Sequence, residues 1–371
     1  MKEVNEDLVA QFLAQINYAT LPDIPGISDK IDEDLKRIIP IILDLFINKR
    51  KFKNPLHFLE DIFRSEDESK RDLLYFKRNI PEANKVIDVG CGWGIFTKLL
   101  CEEYEAIFAV DWVLEHAIAT KVLSPKARVY HGDARDMHLL KSGYFDVVFA
   151  RNLIEHVGDP VEPTGKSVNN FYHQYNLVKE ISYITKPNGT IFLTTGNYNF
   201  PRDGEDNLWF YHWLPTKEKM DYCAQKNIST DNYWLLNWPE IDFLLSVNAF
   251  SIESVTPIDT KIWDNSFIGH LDKAFQGLDC HMTDLWKNLI KKDPNFFSSW
   301  HIIARKTGIE SAILNRKNNR CYYHRTLYFN ESCDNYCQIV AALEAEIQKI
   351  QRTLSWRLTK PLRWLRRALK R

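Results

Sequence analysis

The feature of this sequence that most constrains its fold is a glycine-rich turn between a strand pattern and a helix pattern. Val86–Val89 is a short, largely β-branched run, and Gly90, Gly92 and Gly94 follow it directly. Apolar residues at helical spacing then occupy 95–104. Glycine lets the backbone turn sharply and pass close to a ligand where a Cβ would clash. The turn therefore predicts a strand–loop–helix unit with a ligand at its loop.

Strand and helix patterns alternate through the rest of the central chain. The predicted strands are Val86–Val89, Ile107–Val110, Arg128–His131, Phe145–Ala150, Thr190–Thr195, Ser251–Val255 and Trp300–Ala304. The predicted helices lie at 95–104, 113–122, 170–185 and 239–248. Mostly apolar strands that alternate with helices predict an α/β fold, in which a parallel sheet is covered on both faces.

Acidic residues lie at, or directly after, the carboxyl ends of the first three of these strands. Asp88 precedes the glycine turn, Asp111 ends the second strand, and Asp133 follows the third. A carboxylate after the second strand can accept hydrogen bonds from both hydroxyls of a ribose. The glycine spacing is G-x-G-x-G, not the G-x-G-x-x-G of dinucleotide sites. With Asp88 placed to meet an ammonium group, the pattern favours a mononucleoside over a dinucleotide, although Asp88 and Asp133 also suit turn or capping roles.

These motifs resemble the successive motifs of class I S-adenosylmethionine-dependent methyltransferases. The matching segments are Asp88–Gly94, Asp111, Gly132–Ala134 and Phe145–Val157. The resemblance places a methyltransferase domain at residues 81–307 and implies a Rossmann-like seven-stranded sheet. In this family one strand is antiparallel, and Ser299–Lys306 is similar to it. The implied cofactor is S-adenosylmethionine, and no metal is expected.

The resemblance also implies which residues bind the cofactor. The positions are Asp88, Gly90, Cys91, Gly92, Gly94, Asp111, Trp112, Asp133, Ala134 and Arg151. By position, the glycines would pass under the methionine part and Asp88 would anchor its amino group. Asp111 would hold the ribose, with Trp112 beside the adenine and Asp133 at the adenine edge. Arg151 and Asn152, at the end of the fourth strand, would face the methyl donor.

Methyl transfer needs an acceptor held in line with the donor, and a hydroxyl acceptor also benefits from a general base. The candidate bases are Glu155, His156 and His212. The Glu-His-Val sequence at 155–157 is also frequent in the family without a catalytic role. A carboxylate or phosphate acceptor needs no base, so the choice stays open.

Two insertions interrupt the alternation, at 196–238 and 257–299. In the first, ten of 43 residues are Phe, Trp or Tyr. The segment suits either a packed core under a long loop or a carbohydrate platform. In the platform interpretation the acceptor contacts are Asp206, Asn207, Trp209 and Tyr211. The segment is similar to stretches in methyltransferases encoded with bacterial surface-polysaccharide enzymes.

The two ends of the chain differ from its centre. Residues 1–80 carry an amphipathic helical pattern, and 308–335 is a predicted linker. A short heptad pattern at 336–354 predicts a coiled coil that joins copies of the chain or recruits a partner enzyme. Residues 352–371 hold eight basic residues and no acidic one, although the whole chain has a net charge of −1. This tail resembles a carboxyl-terminal signature of bacterial polysaccharide enzymes.

An apolar stripe and interfacial tryptophans in that tail predict contact with an anionic membrane surface at 352–371. A solvated or nucleic-acid-binding tail is the alternative, but the sequence has no second basic patch, so no nucleic-acid partner is expected. Seven scattered cysteines without a CxxC pair predict reduced thiols and no metal site. No apolar run reaches the length of a bilayer span. We therefore expect a cytoplasmic protein at the inner membrane face.

Together these patterns predict an enzyme that methylates a sugar or sugar-linked group during bacterial surface-polysaccharide biosynthesis, with a carbohydrate or lipid-linked glycan as acceptor. Three alternatives remain open. The acceptor is a small molecule or a lipid quinone, the protein is a non-catalytic S-adenosylmethionine-binding scaffold of a polysaccharide assembly complex, or it is a nicotinamide oxidoreductase.

Overall fold

The structure, a computed structural model, describes a defined part of the chain: residues 1–18, 33–49, 56–80, 82–158, 170–198, 235–258, 297 and 299–308. The chain divides into two compact units, Met1–Tyr322 and Tyr323–Arg371, and the described residues belong to the first. Most of both predicted insertions, nearly all of the predicted linker, the predicted coiled coil and the basic tail lie outside the described residues.

The described residues form eight strands and eight α-helices. The strands are β1 Lys2–Glu3, β2 Lys85–Val89, β3 Ala106–Asp111, β4 Arg128–His131, β5 Phe145–Arg151, β6 Thr185–Gly196, β7 Phe250–Pro257 and β8 Ser299–Lys306. The α-helices are α1 Glu6–Gln15, α2 Glu33–Lys36, α3 Ile39–Leu43, α4 Leu56–Asn79, α5 Ile95–Glu103, α6 Leu114–Leu123, α7 Asn170–Ile184 and α8 Trp238–Val247. A π-helical segment spans Asp44–Lys49, and a 3₁₀ turn spans Ile154–His156.

The strands form one sheet in the order β1-β4-β3-β2-β5-β6-β8-β7. The five strands from β4 to β6 are parallel, and β8 runs antiparallel between β6 and β7. This order confirms the predicted α/β fold with a Rossmann-like seven-stranded sheet. The strand order reverses between β2 and β5, and ligands of such sheets bind in the crevice beyond the carboxyl ends at that point.

The eighth strand, β1, was not expected within the predicted helical segment 1–80. Lys2 and Glu3 pair with the edge strand β4, and Val4 donates a backbone hydrogen bond to Val129 O at 2.8 Å. The Glu3 carboxylate also pairs with the Arg128 guanidinium at 3.1 Å. A strand of two residues is too short to show an alternating sequence pattern. It is recognised only from its pairing with β4 in the structure.

Alternate residues of the central strands pack into two apolar clusters on opposite faces of the sheet. Val86 and Phe149 belong to the cluster under α4, α5 and α6, whereas Ile87 and Val148 belong to the cluster under α7 and α8. Burial on both faces explains why these strands are apolar along most of their length. Among the described helices, none is long and apolar enough to cross a membrane.

Candidate cofactor site

The glycine turn adopts a backbone conformation that suits glycine alone. Gly90, Gly92 and Gly94 have φ angles of 74°, 52° and 82°, in the left-handed region. A Cβ on Gly90 would lie 2.6 Å from Leu153 Cδ1, and one on Gly94 would lie 2.5 Å from Thr120 Cα. Packing against α6 therefore requires glycine at position 94, because the clash there is with backbone. At Gly90 the atom met is the end of a flexible side chain, and the left-handed φ is what favours glycine.

Gly92 differs from the other two glycines because a Cβ there would meet no atom within 4 Å. Its backbone N–H donates to Asp111 Oδ2 at 2.9 Å, which joins the turn to the end of β3. The open space beside Gly92 is the part of the turn that a bound molecule can approach closely. Trp112 lies next to Asp111 in the chain and is 73% exposed.

Two backbone donors orient the Asp111 carboxylate. Gly92 N–H binds Oδ2, and Val113 N–H binds Oδ1 at 2.9 Å. His116 Nδ1 lies 3.4 Å from the same Oδ1, a contact that sequence reasoning missed, although His116 is only five positions after the acid, in the first turn of α6. A carboxylate has about four lone-pair sites, so this group keeps capacity for the hydroxyls of a ribose. The geometry suits the role predicted for Asp111.

Asp88 lies at the carboxyl end of β2, and its side chain is buried. Burial raises the pKa of Asp88 to about 6, although the hydrogen bond from Thr97 and the charge of Arg151 oppose this shift. Thr97 Oγ1 donates to Asp88 Oδ2 at 2.6 Å. A buried carboxylate at this position gains from a cationic partner, which suits the predicted contact with an ammonium group.

The raised pKa of Asp88 predicts a pH-dependent affinity for the cofactor. Below pH 6 the carboxyl binds a proton and loses the charge that attracts an ammonium group. We expect S-adenosylmethionine affinity to rise from pH 5 to pH 7.5, and Asp88→Asn to lower the affinity and flatten the profile. Without cofactor, the pKa of Asp88 is about 6 in the native state and 3.8 in the unfolded state. Between these values the native state binds more protons than the unfolded state, so the free energy of unfolding falls as pH rises through that window. Calorimetric titrations and urea unfolding at both pH values measure the two effects. An unchanged profile in Asp88→Asn would contradict the assignment.

Asp133, after β4, is held by an arginine two residues later. Arg135 binds both carboxylate oxygens, with its Nη2 2.6 Å from Oδ2 and its backbone N–H 2.8 Å from Oδ1. Burial raises the pKa of Asp133, whereas the hydrogen bonds from Arg135 lower it. Together the lowering effects are larger, so the pKa of Asp133 lies below its usual range. Arg135 Nη1 also lies 2.9 Å from His173 Nδ1 on α7. Ala134, between Asp133 and Arg135 in the chain, is partly buried. The predicted contact of Asp133 and Ala134 with adenine stays a prediction.

The guanidinium of Arg151 is bound to helix α4. Its Nε and Nη2 donate to Asp72 Oδ2 at 2.9 and 2.7 Å, and it lies 4.2 Å from the Phe96 ring centre. His301 Nε2 on β8 lies 2.8 Å from Asp72 Oδ1. Burial raises the pKa of Asp72, yet the His301 and Arg151 contacts bring it below its usual value. Arg151 thus joins α4 to the sheet, and its predicted contact with the methyl donor stays a prediction.

Asp72→Asn is expected to lower the free energy of unfolding by about 3 kcal/mol, because it leaves the charge of Arg151 buried without its counter-ion. The matched control is Glu3→Gln, which breaks the exposed pair with Arg128. An exposed pair contributes about 1 kcal/mol or less. Urea unfolding of both variants measures the difference. Equal small losses would show that the Asp72 pair does not hold α4 in place.

The candidate bases occupy different environments. Glu155 is buried, accepts a hydrogen bond from Thr195 Oγ1 at 2.9 Å, and has its pKa raised by burial. His156 follows it on the 3₁₀ turn and is exposed. His212 and the predicted acceptor contacts Asp206, Asn207, Trp209 and Tyr211 lie outside the described residues.

Cys91 lies inside the glycine turn with its thiol buried. Thr120 Oγ1 is 3.2 Å from its sulfur, and burial raises the pKa of the thiol well above its usual value. The side chain is therefore a protonated packing group. In the part of the chain that the structure describes, no three His, Cys, Asp or Glu residues are grouped to hold a metal ion.

Comparison with known proteins agrees with this geometry. Residues 57–230 match a family described as a methyltransferase domain. This match spans just under half of the chain and supports an S-adenosylmethionine-dependent methyltransferase, as the motifs around the glycine turn predict. The match decides against the oxidoreductase alternative. The domain uses S-adenosylmethionine, and the open space at Gly92 and the buried Asp88 carboxylate fit that cofactor.

The relatives of this methyltransferase include ubiquinone biosynthesis O-methyltransferases. That of Aromatoleum aromaticum is 26% identical over 181 residues, which cover 43% of this chain and 70% of the relative. That of Haemophilus ducreyi is 26% identical over 229 residues, which cover 53% and 88%. Among solved structures, phosphoethanolamine N-methyltransferase 2 of Haemonchus contortus matches with a TM-score of 0.40 and 17% identity, over 64% of this chain and about half (52%) of that one.

Proposed function

We propose that this protein transfers the methyl group of S-adenosylmethionine to an oxygen atom of a small-molecule or lipid-linked acceptor. The proposal of methyl transfer rests on the arrangement of Asp88, Gly92 and Asp111 around the crevice where the strand order reverses. The relatives named as ubiquinone biosynthesis O-methyltransferases support an oxygen acceptor of this class.

The cofactor, when bound, supplies a methyl group on a sulfonium, which needs no further activation. The protein contributes the binding groups. Asp88 pairs with the ammonium group, Asp111 accepts hydrogen bonds from the ribose, and Gly92 leaves room for the backbone to approach. Burial of Asp88 strengthens this pairing because fewer waters compete for the carboxylate. The remaining task is to hold an acceptor oxygen in line with the methyl group and to exclude water.

A hydroxyl acceptor must also lose a proton during transfer. Of the two described candidates, Glu155 is enclosed by β6 and hydrogen-bonded to Thr195, whereas His156 is exposed. We assign proton acceptance to His156 for this reason. An imidazole that reaches solvent can accept the proton and pass it on to water.

A second acceptor class is a sugar of a nascent surface polysaccharide, carried as a lipid-linked glycan. Its support is the aromatic composition of 196–238 and the basic tail at 352–371. The same sequence features underlie the proposals that the tail contacts the inner membrane face and that 336–354 binds another copy or a partner enzyme. A scaffold that binds cofactor without catalysis is the remaining alternative.

The experiment is transfer of labelled methyl from S-adenosylmethionine into an envelope extract of the source organism, separated into polysaccharide, lipid and soluble pools. Asp111→Ala serves as the inactive control. We expect label in the lipid or soluble pool, lost in the variant. Label in the polysaccharide pool would establish the second acceptor class. No label, despite cofactor binding measured by calorimetry, would overturn both and favour the scaffold.

A further inference from the structure

Helix α4 and strand β5 share a buried ion pair close to the cofactor site. Arg151 Nε and Nη2 donate to Asp72 Oδ2 at 2.9 and 2.7 Å, and Arg151 Nη1 donates to Ser69 Oγ at 3.2 Å. His301 Nε2 lies 2.8 Å from the other carboxylate oxygen, Asp72 Oδ1. The exposed fraction is 5% for the Asp72 side chain and 12% for the Arg151 side chain. Both oxygens of this carboxylate are therefore occupied, and the guanidinium is held on α4.

The same guanidinium lies close to another buried carboxylate, that of Asp88. Asp88 pairs with Phe149 in the parallel register of β2 and β5, and Arg151 follows Phe149 by two positions on the same face of β5. Two positions along a strand span about 7 Å, which an arginine side chain can bridge. The guanidinium lies 4.2 Å from the centre of the Phe96 ring, and the next residue, Thr97, donates to Asp88. Arg151 is thus within reach of both buried carboxylates and is bound to the one on α4.

The balance of charges makes this choice of partner important. Asp72 and Asp88 offer two carboxylates to one guanidinium, so one negative charge is left for a cationic ligand. Burial raises the pKa of Asp88 and the charge of Arg151 opposes this, so that charge acts on Asp88 even while Arg151 is bound to Asp72. Such interactions are stronger in a buried site than in water, because few waters screen them. If Arg151 paired with Asp88 instead, an ammonium group would meet a carboxylate that is already neutralised.

We propose that Asp72 is a positioning residue for cofactor binding: it neutralises Arg151 and holds it on α4, so that Asp88 stays free for the ammonium group of S-adenosylmethionine. This inference rests on the contact between Asp88 and the ammonium group in the proposed function. His301 supports the arrangement, because its contact with Oδ1 leaves Oδ2 of Asp72 to accept both bonds from Arg151. Asp72 thus acts on the cofactor through Arg151.

The test compares two ligands that differ in the amino-acid part. S-adenosylmethionine carries the ammonium group, whereas 5′-methylthioadenosine has the same nucleoside with a neutral thioether and no ammonium group. In Asp72→Asn, Arg151 loses its counter-ion and is expected to turn to Asp88. The dissociation constant should then rise at least about tenfold for S-adenosylmethionine and less than about threefold for 5′-methylthioadenosine, because only the first ligand needs the charge of Asp88. Calorimetric titration of folded protein measures both constants.

Two further variants separate the effect of charge from that of packing. Asp72→Asn/Arg151→Met removes the unpaired guanidinium and should recover most of the affinity for S-adenosylmethionine that Asp72→Asn loses. Ser69→Ala is the matched control, because it removes another hydrogen bond between α4 and the same guanidinium without a change of charge. It should alter the affinity for S-adenosylmethionine by less than about threefold. Equal losses for the two ligands in Asp72→Asn, or no recovery in the double variant, would overturn the proposal.

A crystal structure of the wild-type protein with S-adenosylhomocysteine tests the same point without a variant that loses stability. This ligand keeps the ammonium group of the cofactor. Asp88 should lie within hydrogen-bond distance of that group, and Arg151 should still bind Asp72. A guanidinium bound to Asp88 or to the ligand would overturn the proposal. These measurements need no turnover, so methyl transfer that fails while they hold would overturn the proposed function alone.

Discussion

Replacing Asp111 by asparagine is expected to weaken S-adenosylmethionine binding by about 100-fold, which corresponds to about 3 kcal/mol. The substitution removes the negative charge that would accept hydrogen bonds from the ribose. It also replaces one of the two oxygens that accept from Gly92 N–H and Val113 N–H, so one of these backbone groups loses its acceptor. Isothermal titration calorimetry of the purified protein measures the change directly.

The matched control for this prediction is Asp146→Asn. Asp146 Oδ2 also accepts two backbone N–H groups, from Asn84 and Lys85, but it lies at the amino-terminal end of the sheet. This variant should lose stability and keep its affinity for the cofactor. Similar losses of affinity in both variants would mean that the loss comes from general destabilisation of the protein. An unchanged affinity in Asp111→Asn would contradict the role of Asp111.

Alanine substitutions at Gly92 and Gly94 are expected to have opposite consequences. In Gly94→Ala the new Cβ lies 2.5 Å from the backbone of Thr120, at a φ of 82°. The overlap and the left-handed backbone together should cost about 3–5 kcal/mol of stability. In Gly92→Ala the Cβ enters open space, so only the backbone cost of about 1–2 kcal/mol applies. The same Cβ fills the space that the cofactor would approach.

Thermal unfolding and cofactor titration of the two variants separate these effects. Gly94→Ala should lower the melting temperature by about 6–15 °C. Gly92→Ala should stay folded and lose at least about tenfold in affinity for S-adenosylmethionine, since its Cβ displaces a close contact. If Gly92→Ala binds the cofactor as wild type does, the open space beside that residue is not part of the cofactor site.

Much of the fold was predictable because it depends on local patterns. Val86–Val89 and Phe145–Ala150 are apolar runs that a sheet covered on both faces requires, and both are strands in the structure. The glycine turn was recognisable because left-handed backbone selects glycine. The open space at Gly92 was not, because it depends on where Leu153 and Thr120 lie relative to the three glycines.

The contacts of the site depend on residues far apart in the chain. The family resemblance implied a contact of Arg151 with the methyl donor, which stays a prediction. The structure adds a contact that the sequence did not indicate: the guanidinium binds Asp72, 79 positions earlier. A salt bridge of this kind leaves no spacing pattern, because its partners meet only when α4 packs on the sheet. The hydrogen bonds from Arg135 to Asp133 were missed for a simpler reason. Opposite charges two positions apart are common in loops and predict no specific contact.

The amino-acid sequence by itself determined the α/β class and the position of the glycine turn, because periodicity and backbone conformation act on neighbouring residues. The methyltransferase activity was indicated by the resemblance of its motifs to a known family. Only the tertiary structure decided how the charged and polar groups are paired. Asp88 acquires its raised pKa from burial, and Glu155 accepts its hydrogen bond from Thr195, 40 positions later. Burial and hydrogen-bond partners come from packing, so the chemistry of the site exists only once the sheet has assembled.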